Sequence, residues 1–539
     1  MDSSVTVARR YLEFFKAAGV PKIFGIPGVH NLPFWRDWEE GLPPIVGVRH
    51  EQTTVYAADG LARSSGGPAV ALTTTGPGAA NAVAAFGEAA SCGSPVILVA
   101  TEISTQHSWS GILKGVLHES RDQAGIFEPL AKAVFRPRTA SEAMDALGAA
   151  VKTAMAWPRG PVYVDIPTDV LSHPAVAPEL LFEDRASADL PAIEELAALI
   201  EQSPRVVIWC GSGVIQSGAE MALRALAETL QAPVVTTYGA RGVLPPDHPC
   251  HVSLPPHEPE VAQLIAEADL LLAVGTDFDG MMTRNWRMPM PKSLAVINCA
   301  DEDLAKNYEP DVAVLADARE ALAALLPFVS KRSSDADLLQ TVDAGWRRLK
   351  SDERSAPGIA FVKSVESAVA PDTKVICDMA VAGYWFGGYG GVTTTRQLQY
   401  PVGWGTLGYA LPAAIGPAAA GQSTLAICGD GGVMFALSEL ATISQEGLPV
   451  TLLVVDDGAY GMLAYDQEVA GDPRRGVELK SPEWLSLGQA FGIPTTVVDK
   501  VGPEFEHVLR AAVGSRQARF VILKAGLTPP RTTSARWSE

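Results

Sequence analysis

Cysteine is scarce in this chain, and what there is lies scattered. Six cysteines (Cys92, Cys210, Cys250, Cys299, Cys377, Cys428) among 539 residues form no C-x-x-C pair. They read as reduced, buried small hydrophobes of a cytoplasmic protein, not as a disulfide framework. Positive charge is in deficit: 42 Lys and Arg stand against 61 Asp and Glu, a net charge of −19, with no basic cluster. This excludes nucleic acid and anionic membranes as partners. Aromatic residues make up only 7%. No apolar run reaches the roughly 18 residues of a spanning helix. The opening segment MDSSVTVARRYLEFFKAAGV reads as an amphipathic helix with charges throughout, not as a signal peptide.

What remains is a hydrophobic content of 47%, rich in Gly and Ala, which suits stacked α/β layers. The length suits about three domains. Two polar linkers, 172–191 and 329–338, divide the chain into residues 1–172, 190–330 and 345–530. Each part alternates strand and helix patterns, so the expected fold is three mostly parallel sheets flanked by helices.

The densest signal lies at 423–458. STLAIC is a short apolar run, followed by Gly429-Asp430-Gly431-Gly432. Val433, Leu437, Leu440 and Ile443 recur at helical spacing and predict one shared face. Gly447-Leu448-Pro449 stops that helix, and VTLLVV is a second buried strand ending in Asp456-Asp457-Gly458. Such a βαβ unit sets Asp430 and Asp457 at the carboxyl ends of neighbouring strands, where open α/β sheets bind ligands. Two carboxylates plus phosphate oxygens suit a magnesium ion.

Three further segments have the same character. IFGIPGVHN (23–31) is a strand and tight turn, and PPIVGVRHE (43–51) reads as a strand ending in His50-Glu51. QTTVYAADGLAR then predicts a helix, and AVALTTTGPGAANAV a strand, a Gly-Pro-Gly turn and another helix. QYPVGWGTLGYALPAAIGPAAA (399–420) combines a glycine-rich loop with a small-residue helix. Cys377-Asp378-Met379-Ala380-Val381 ends another strand, and the GYWFGG that follows is expected to be a loop lining the ligand.

Taken in order, these segments resemble the thiamine-diphosphate enzymes of the acetolactate synthase and 2-oxoacid decarboxylase superfamily. GDGG followed by DDGAYGM is similar to that family's GDG-to-NN signature, with Asp456-Asp457 in place of Asn-Asn. The resemblance implies magnesium held by Asp430, Asp457 and the carbonyl of Ala459. It implies a cofactor bound by Pro27, Gly76, Gly429, Gly431, Gly432, Tyr460, Gly461 and Met462. The Gly405 carbonyl would hold the aminopyrimidine, and Leu407, where the family has Met, would wedge the cofactor into a bent shape. Glu51 matches the cofactor-activating glutamate, which promotes loss of the thiazolium C2 proton. His30 and His118 are the implied acid–base groups.

The resemblance further implies small carbonyl substrates and a homodimer or homotetramer with its active site between subunits. The favoured reaction is acetolactate-synthase-like: decarboxylation of a 2-oxoacid and transfer of the acyl anion to an acceptor. The alternatives are a lyase of 2-hydroxy ketones or 2-hydroxyacyl-CoA thioesters, a simple decarboxylase, or a cofactor-binding paralogue without turnover. Met281 and Asp466 stand where biosynthetic synthases have an Arg and a Trp, which argues against a standard member of that group. In the central part, the lone Gly211-Ser212-Gly213 is a weak nucleotide signal. Structural packing is favoured there over bound FAD or ADP. The C-terminal LTPPRTTSARWSE, with Trp537, is expected either to close over the pocket or to be disordered.

Overall fold

The computed structural model describes residues 5–107, 113–182, 187–333 and 339–533. Apolar runs such as VILVATE and VTLLVV are buried along their length, the pattern of parallel strands covered on both faces. The first sheet is built from β1 (Ile23–Gly25), β2 (Ile45–Gly47), β3 (Ala69–Thr73), β4 (Val96–Glu102), β5 (Ala133–Phe135) and β6 (Val162–Pro167), in the order β2-β1-β3-β4-β6-β5. The second uses β7 (Val206–Cys210), β8 (Val234–Thr236), β9 (Leu270–Val274), β10 (Ser293–Asn298) and β11 (Val312–Leu315), in the order β11-β10-β9-β7-β8. The third uses β12 (Lys374–Cys377), β13 (Leu398–Gln399), β14 (Thr424–Gly429), β15 (Val450–Asp456), β16 (Thr495–Val498) and β17 (Arg519–Lys524), in the order β13-β12-β14-β15-β17-β16. The pairings within all three sheets are parallel, as expected for the fold class.

The first and third sheets are joined through two helices, Glu51–Ser65 and Ala410–Ala419. A methyl at Gly60 would come within 2.1 Å of the Ala413 carbonyl oxygen, and one at Gly416 equally close to that of Ala57. Only glycine allows this approach, and the apolar cluster around the crossing runs from Val55 and Leu61 to Leu411, Ile415 and Leu452. A second cluster joins the middle and third sheets, from Trp209 and Leu271 to Trp385 and Leu453.

Several local expectations change. The strand before Glu51 ends at Gly47, and Glu51 opens the next helix with His50 as its cap, accepting from the Gln52 N–H at 3.2 Å. The helix expected over 433–443 is broken into Asp430–Val433, a tight turn at Leu437–Glu439 and Leu440–Glu446. Val433, Leu440 and Ile443 are buried but Leu437 only half so. The break turns Glu439 inward against the first domain. GYWFGG is not a loop: Val381–Tyr389 is a fully buried helix. Its glycines admit neighbours, with Gly387 and Gly388 lying under Tyr238.

Both linkers are packed where described. The Val7 N–H donates to the His173 carbonyl at 2.9 Å, and the Arg332 guanidinium donates to the carbonyls of Ile200, Ser203 and Pro204. The tail is docked as far as Thr533: Trp385 Nε1 donates to the Thr528 carbonyl at 2.8 Å, and Thr532 Oγ1 to Glu258 at 2.7 Å. Trp537 lies outside the described residues.

Candidate cofactor site in two halves

β14 and β15 pair up to Gly429 opposite Val455, so the turns that follow them lie side by side. Asp430 and Asp457 therefore face a common cavity of about 230 Å³. Of the residues expected to bind cofactor, Leu407, Gly429, Gly431, Gly432, Tyr460, Gly461 and Met462 line it, with Ala459 beside them. Gly405 does not.

The electrostatics of the two carboxylates suit a cation. Burial pushes the Asp430 carboxyl up to about 7, and the charges of Asp457 and Asp456 add to the effect. Asp457 is raised as well, first by desolvation and then by Asp456. Groups that hinder each other's ionisation are relieved by a divalent ion between them. Asp456 is already engaged, accepting from Ser481 Oγ at 2.6 Å and Trp484 Nε1 at 2.7 Å. The strand pairing of Ala459 with Glu478 places its hydrogen bonds on Gly458 and Tyr460, and so does not use the Ala459 carbonyl. Among the described residues no cluster of three or more His, Cys, Asp or Glu side chains forms a metal site. Two carboxylates and one carbonyl leave positions for phosphate oxygens and water, as magnesium requires. The donor set thus fits a magnesium diphosphate.

The glycines of the GDGG turn have packing reasons. A methyl at Gly431 would lie 2.5 Å from the Tyr460 ring, and one at Gly432 2.6 Å from Asp378 Oδ2. Asp378 is buried and accepts from the N–H groups of Met379 and Gly408 at 2.9 Å and of Tyr409 at 3.3 Å. It fixes the loop bearing Leu407 from one side. Glu88 holds the same loop from the other, accepting from Thr406 Oγ1 at 3.1 Å. Sequence reasoning assigned no role to Asp378 or Glu88. The strand-end position of Asp378 was the available signal.

The remaining candidates gather in the first domain around the turn after β3. Pro27 is exposed, and the following Gly28 packs on Thr74. Asn81 Nδ2 donates to Glu51 Oε2 at 3.0 Å, on the Gly78 side of the turn. Gly76 has φ +67°, and a methyl there would meet the His118 Cβ at 3.0 Å. His30 and His118 stand edge to face with ring centroids 5.4 Å apart. Burial lowers the His30 pKa below the usual imidazole value, and the neighbouring His118 lowers it further. Beneath the turn lies Gln123, which the sequence reading passed over. Its Oε1 accepts from the Gly76 N–H, and its Nε2 donates to Asp165 at 2.7 Å. Burial and the Glu102 charge push the Asp165 carboxyl well above the usual carboxylate range.

None of Pro27, His30, Glu51, Gly76 or His118 lines the cavity of its own chain. The halves are nonetheless tied: the buried Glu439 carboxylate accepts from the N–H groups of Arg49 at 3.0 Å and His50 at 3.1 Å. That fixes the start of the Glu51 helix from the third domain.

A separate cleft of about 680 Å³ lies where the three domains meet and takes in Gly211-Ser212-Gly213. Asp277, Asp279, Glu302, Asp303 and Asp317 line it, and Lys306 is held by Asp277 at 3.0 Å and Asp303 at 3.2 Å. Arg159 and Arg396 reach it but donate to the carbonyls of Gly66 and Ile215, each at 2.7 Å.

Three parallel-sheet domains in this order are those of a thiamine-dependent enzyme, and the chain belongs to the thiamine pyrophosphate enzyme family. It matches the N-terminal TPP binding domain over residues 5–126, the central domain over 193–325 and the C-terminal TPP binding domain over 378–524. It is 31% identical to the probable 2-ketoarginine decarboxylase AruI of Pseudomonas aeruginosa, over 97% of this chain and 94% of that protein. It is 30% identical to a probable acetolactate synthase large subunit of Methanocaldococcus jannaschii, over 95% and 90% respectively. With the acetolactate synthase isozyme 1 large subunit of Escherichia coli it shares 28% identity, over 93% of each chain. No helix among the described residues is long and apolar enough to cross a membrane.

Proposed function

We propose that this chain is a cytoplasmic, thiamine-diphosphate and magnesium-dependent enzyme that decarboxylates a 2-oxoacid. Its working site forms between two copies of the chain. The N-terminal candidates of one copy would complete the cavity of another, which accounts for their absence from the cavity of their own chain. A homodimer is then the smallest active form.

Asp430, Asp457 and the Ala459 carbonyl would hold magnesium on the diphosphate, and Leu407 would press against the cofactor. The cofactor, once bound, supplies a nucleophilic carbon and an electron sink. Glu51 would donate a hydrogen bond to its aminopyrimidine ring. His30 and His118 would move protons at the reacting carbonyl.

The observation that carries the reaction type is the His30–His118 pair, with centroids 5.4 Å apart. Transfer of an acyl anion to a second carbonyl also uses an acid, for the alkoxide it creates, but only while none reaches the carbanion carbon. Two imidazoles supplied together from the neighbouring copy would favour the other outcome, a proton delivered to the carbon that has lost CO2 and release of an aldehyde. Among the relatives, the probable 2-ketoarginine decarboxylase supports this reading and the acetolactate synthases support carboligation. Asp466 lies one helical turn beyond the cavity residue Met462 on the helix Gly461–Ala470, where the resemblance puts a Trp in the biosynthetic synthases.

We read the central cleft as structural, not as a site for FAD or ADP. Its carboxylates oppose a pyrophosphate, and its arginines are engaged by carbonyls. Proton NMR of purified protein with thiamine diphosphate, magnesium and either pyruvate or 2-ketoarginine tests the proposal. Aldehyde formation is expected, with 2-ketoarginine preferred. Acetolactate from pyruvate would establish the carboligase reading instead, and no consumption of either acid would reject both.

A further inference from the structure

Thr75 stands between the two histidines and touches both. Its hydroxyl lies 2.7 Å from His30 Nδ1, and its backbone carbonyl lies 3.1 Å from His118 Nδ1. The hydroxyl proton is directed elsewhere, to Thr101 Oγ1 at 3.0 Å. Thr75 Oγ1 therefore meets His30 as an acceptor, so His30 Nδ1 must carry the hydrogen. A carbonyl oxygen can only accept, so His118 Nδ1 must carry one as well. Thr75 itself is fully buried and held in the turn between β3 and Gly76.

We propose that Thr75 is a positioning residue that locks His30 in the Nδ1–H tautomer and so leaves its Nε2 lone pair free, while the Thr75 carbonyl does the same for His118. The inference rests on the reading of this pair as the acid–base groups. Locked in this way, each neutral ring presents a proton-accepting Nε2. Because the two rings are close, a charge on His118 opposes a second proton on His30. In the singly protonated state one ring offers an Nε2–H and its neighbour an open Nε2. When a proton passes from that Nε2–H to the product carbon, the donor ring returns to its Nδ1–H neutral form, and solvent restores the proton. The wrong tautomer would place a hydrogen where a lone pair is needed, which in other His-dependent enzymes is highly damaging.

The test compares Thr75→Val, which keeps shape and loses the hydroxyl, with Thr75→Ser, which keeps the hydroxyl. 15N NMR of the histidine-labelled holoenzyme reads the tautomers. The His30 and His118 signals are identified by their disappearance in His30→Gln and His118→Gln. Both should be Nδ1–H in the wild type. Thr75→Val should move His30 toward Nε2–H and leave His118 unchanged, and Thr75→Ser should restore His30. With 2-oxoacid turnover, kcat should fall on the order of 10²-fold in Thr75→Val with KM little changed, and recover in Thr75→Ser. A wild-type His30 in the Nε2–H form overturns the proposal, even if a variant fails to fold. So does a Thr75→Val protein whose His30 signal does not move. Absence of 2-oxoacid turnover in the wild type would overturn the functional reading while the tautomer result stands.

Discussion

The Trp484 indole donates to Asp456 Oδ2 at 2.7 Å, and that bond gives two adjacent carboxylates different work. Asp456 is spent on the fold, held also by Ser481 and by the Gly458 N–H at 3.3 Å. Asp457 is left at the cavity. Asp456→Asn would set an amide NH2 against one of these donors and should cost roughly 1–3 kcal/mol of stability. Asp457→Asn should cost little stability and should tighten thiamine diphosphate binding when magnesium is limiting, because one negative charge leaves the diphosphate. Thermal melts and calorimetric titration separate the two. Unchanged or weaker binding in Asp457→Asn would count against its place in the metal site.

Glu51→Gln should retain cofactor affinity and lose turnover by about 10²- to 10⁴-fold, since the amide cannot supply the proton of a carboxylic acid. Cofactor titration followed by a steady-state assay measures both. Survival of full turnover would remove Glu51 from the mechanism.

Glu88 gives a dependence on pH. It is buried against Thr406 and Cys92, and burial pushes it from 4.5 up to about 7 despite the opposing Arg63 charge. A folded-state pKa above the unfolded one means that the stabilisation is fully present below about 4.5 and is lost as pH rises through about 7. In Glu88→Gln this loss disappears. The melting temperature of the variant relative to the wild type should therefore climb between about pH 5 and about pH 8. A flat difference across that range would show that Glu88 is not held neutral by the fold.

Gly431→Ala drives a methyl into the Tyr460 ring, at a separation of 2.5 Å before anything moves. Overpacking of this kind typically costs about 1–3 kcal/mol. The displaced Tyr460 should also weaken cofactor binding. A variant with wild-type melting and wild-type affinity would mean that the turn has slack.

The motifs were legible because they are local. Apolar runs bounded by Gly-Asp-Gly-Gly and Asp-Asp-Gly mark β14 and β15, and Gly447, at φ +61°, marks the stop between them. Local pattern misread Val381–Tyr389, where glycines and aromatics resemble a loop and tertiary burial makes a helix. It also missed side chains whose partners are remote. Glu439 acts on Arg49 across 390 residues, Gln123 on Gly76 across 47, and Asp378 on Gly408 across 30. No spacing rule connects such pairs. They exist only once the sheets have brought the loops together. The facing of the two histidines belongs to the same class, since each was visible singly but not their shared contact at Thr75.

The crossing of Glu51–Ser65 over Ala410–Ala419 places backbone on backbone at Gly60 and Gly416, with no side chains between to act as a lubricating layer. Sliding one helix along the other would carry each of these carbonyls off its glycine and onto a residue with a Cβ, where it does not fit. The two glycines therefore act as a latch that resists sliding of the terminal domains of one chain past each other.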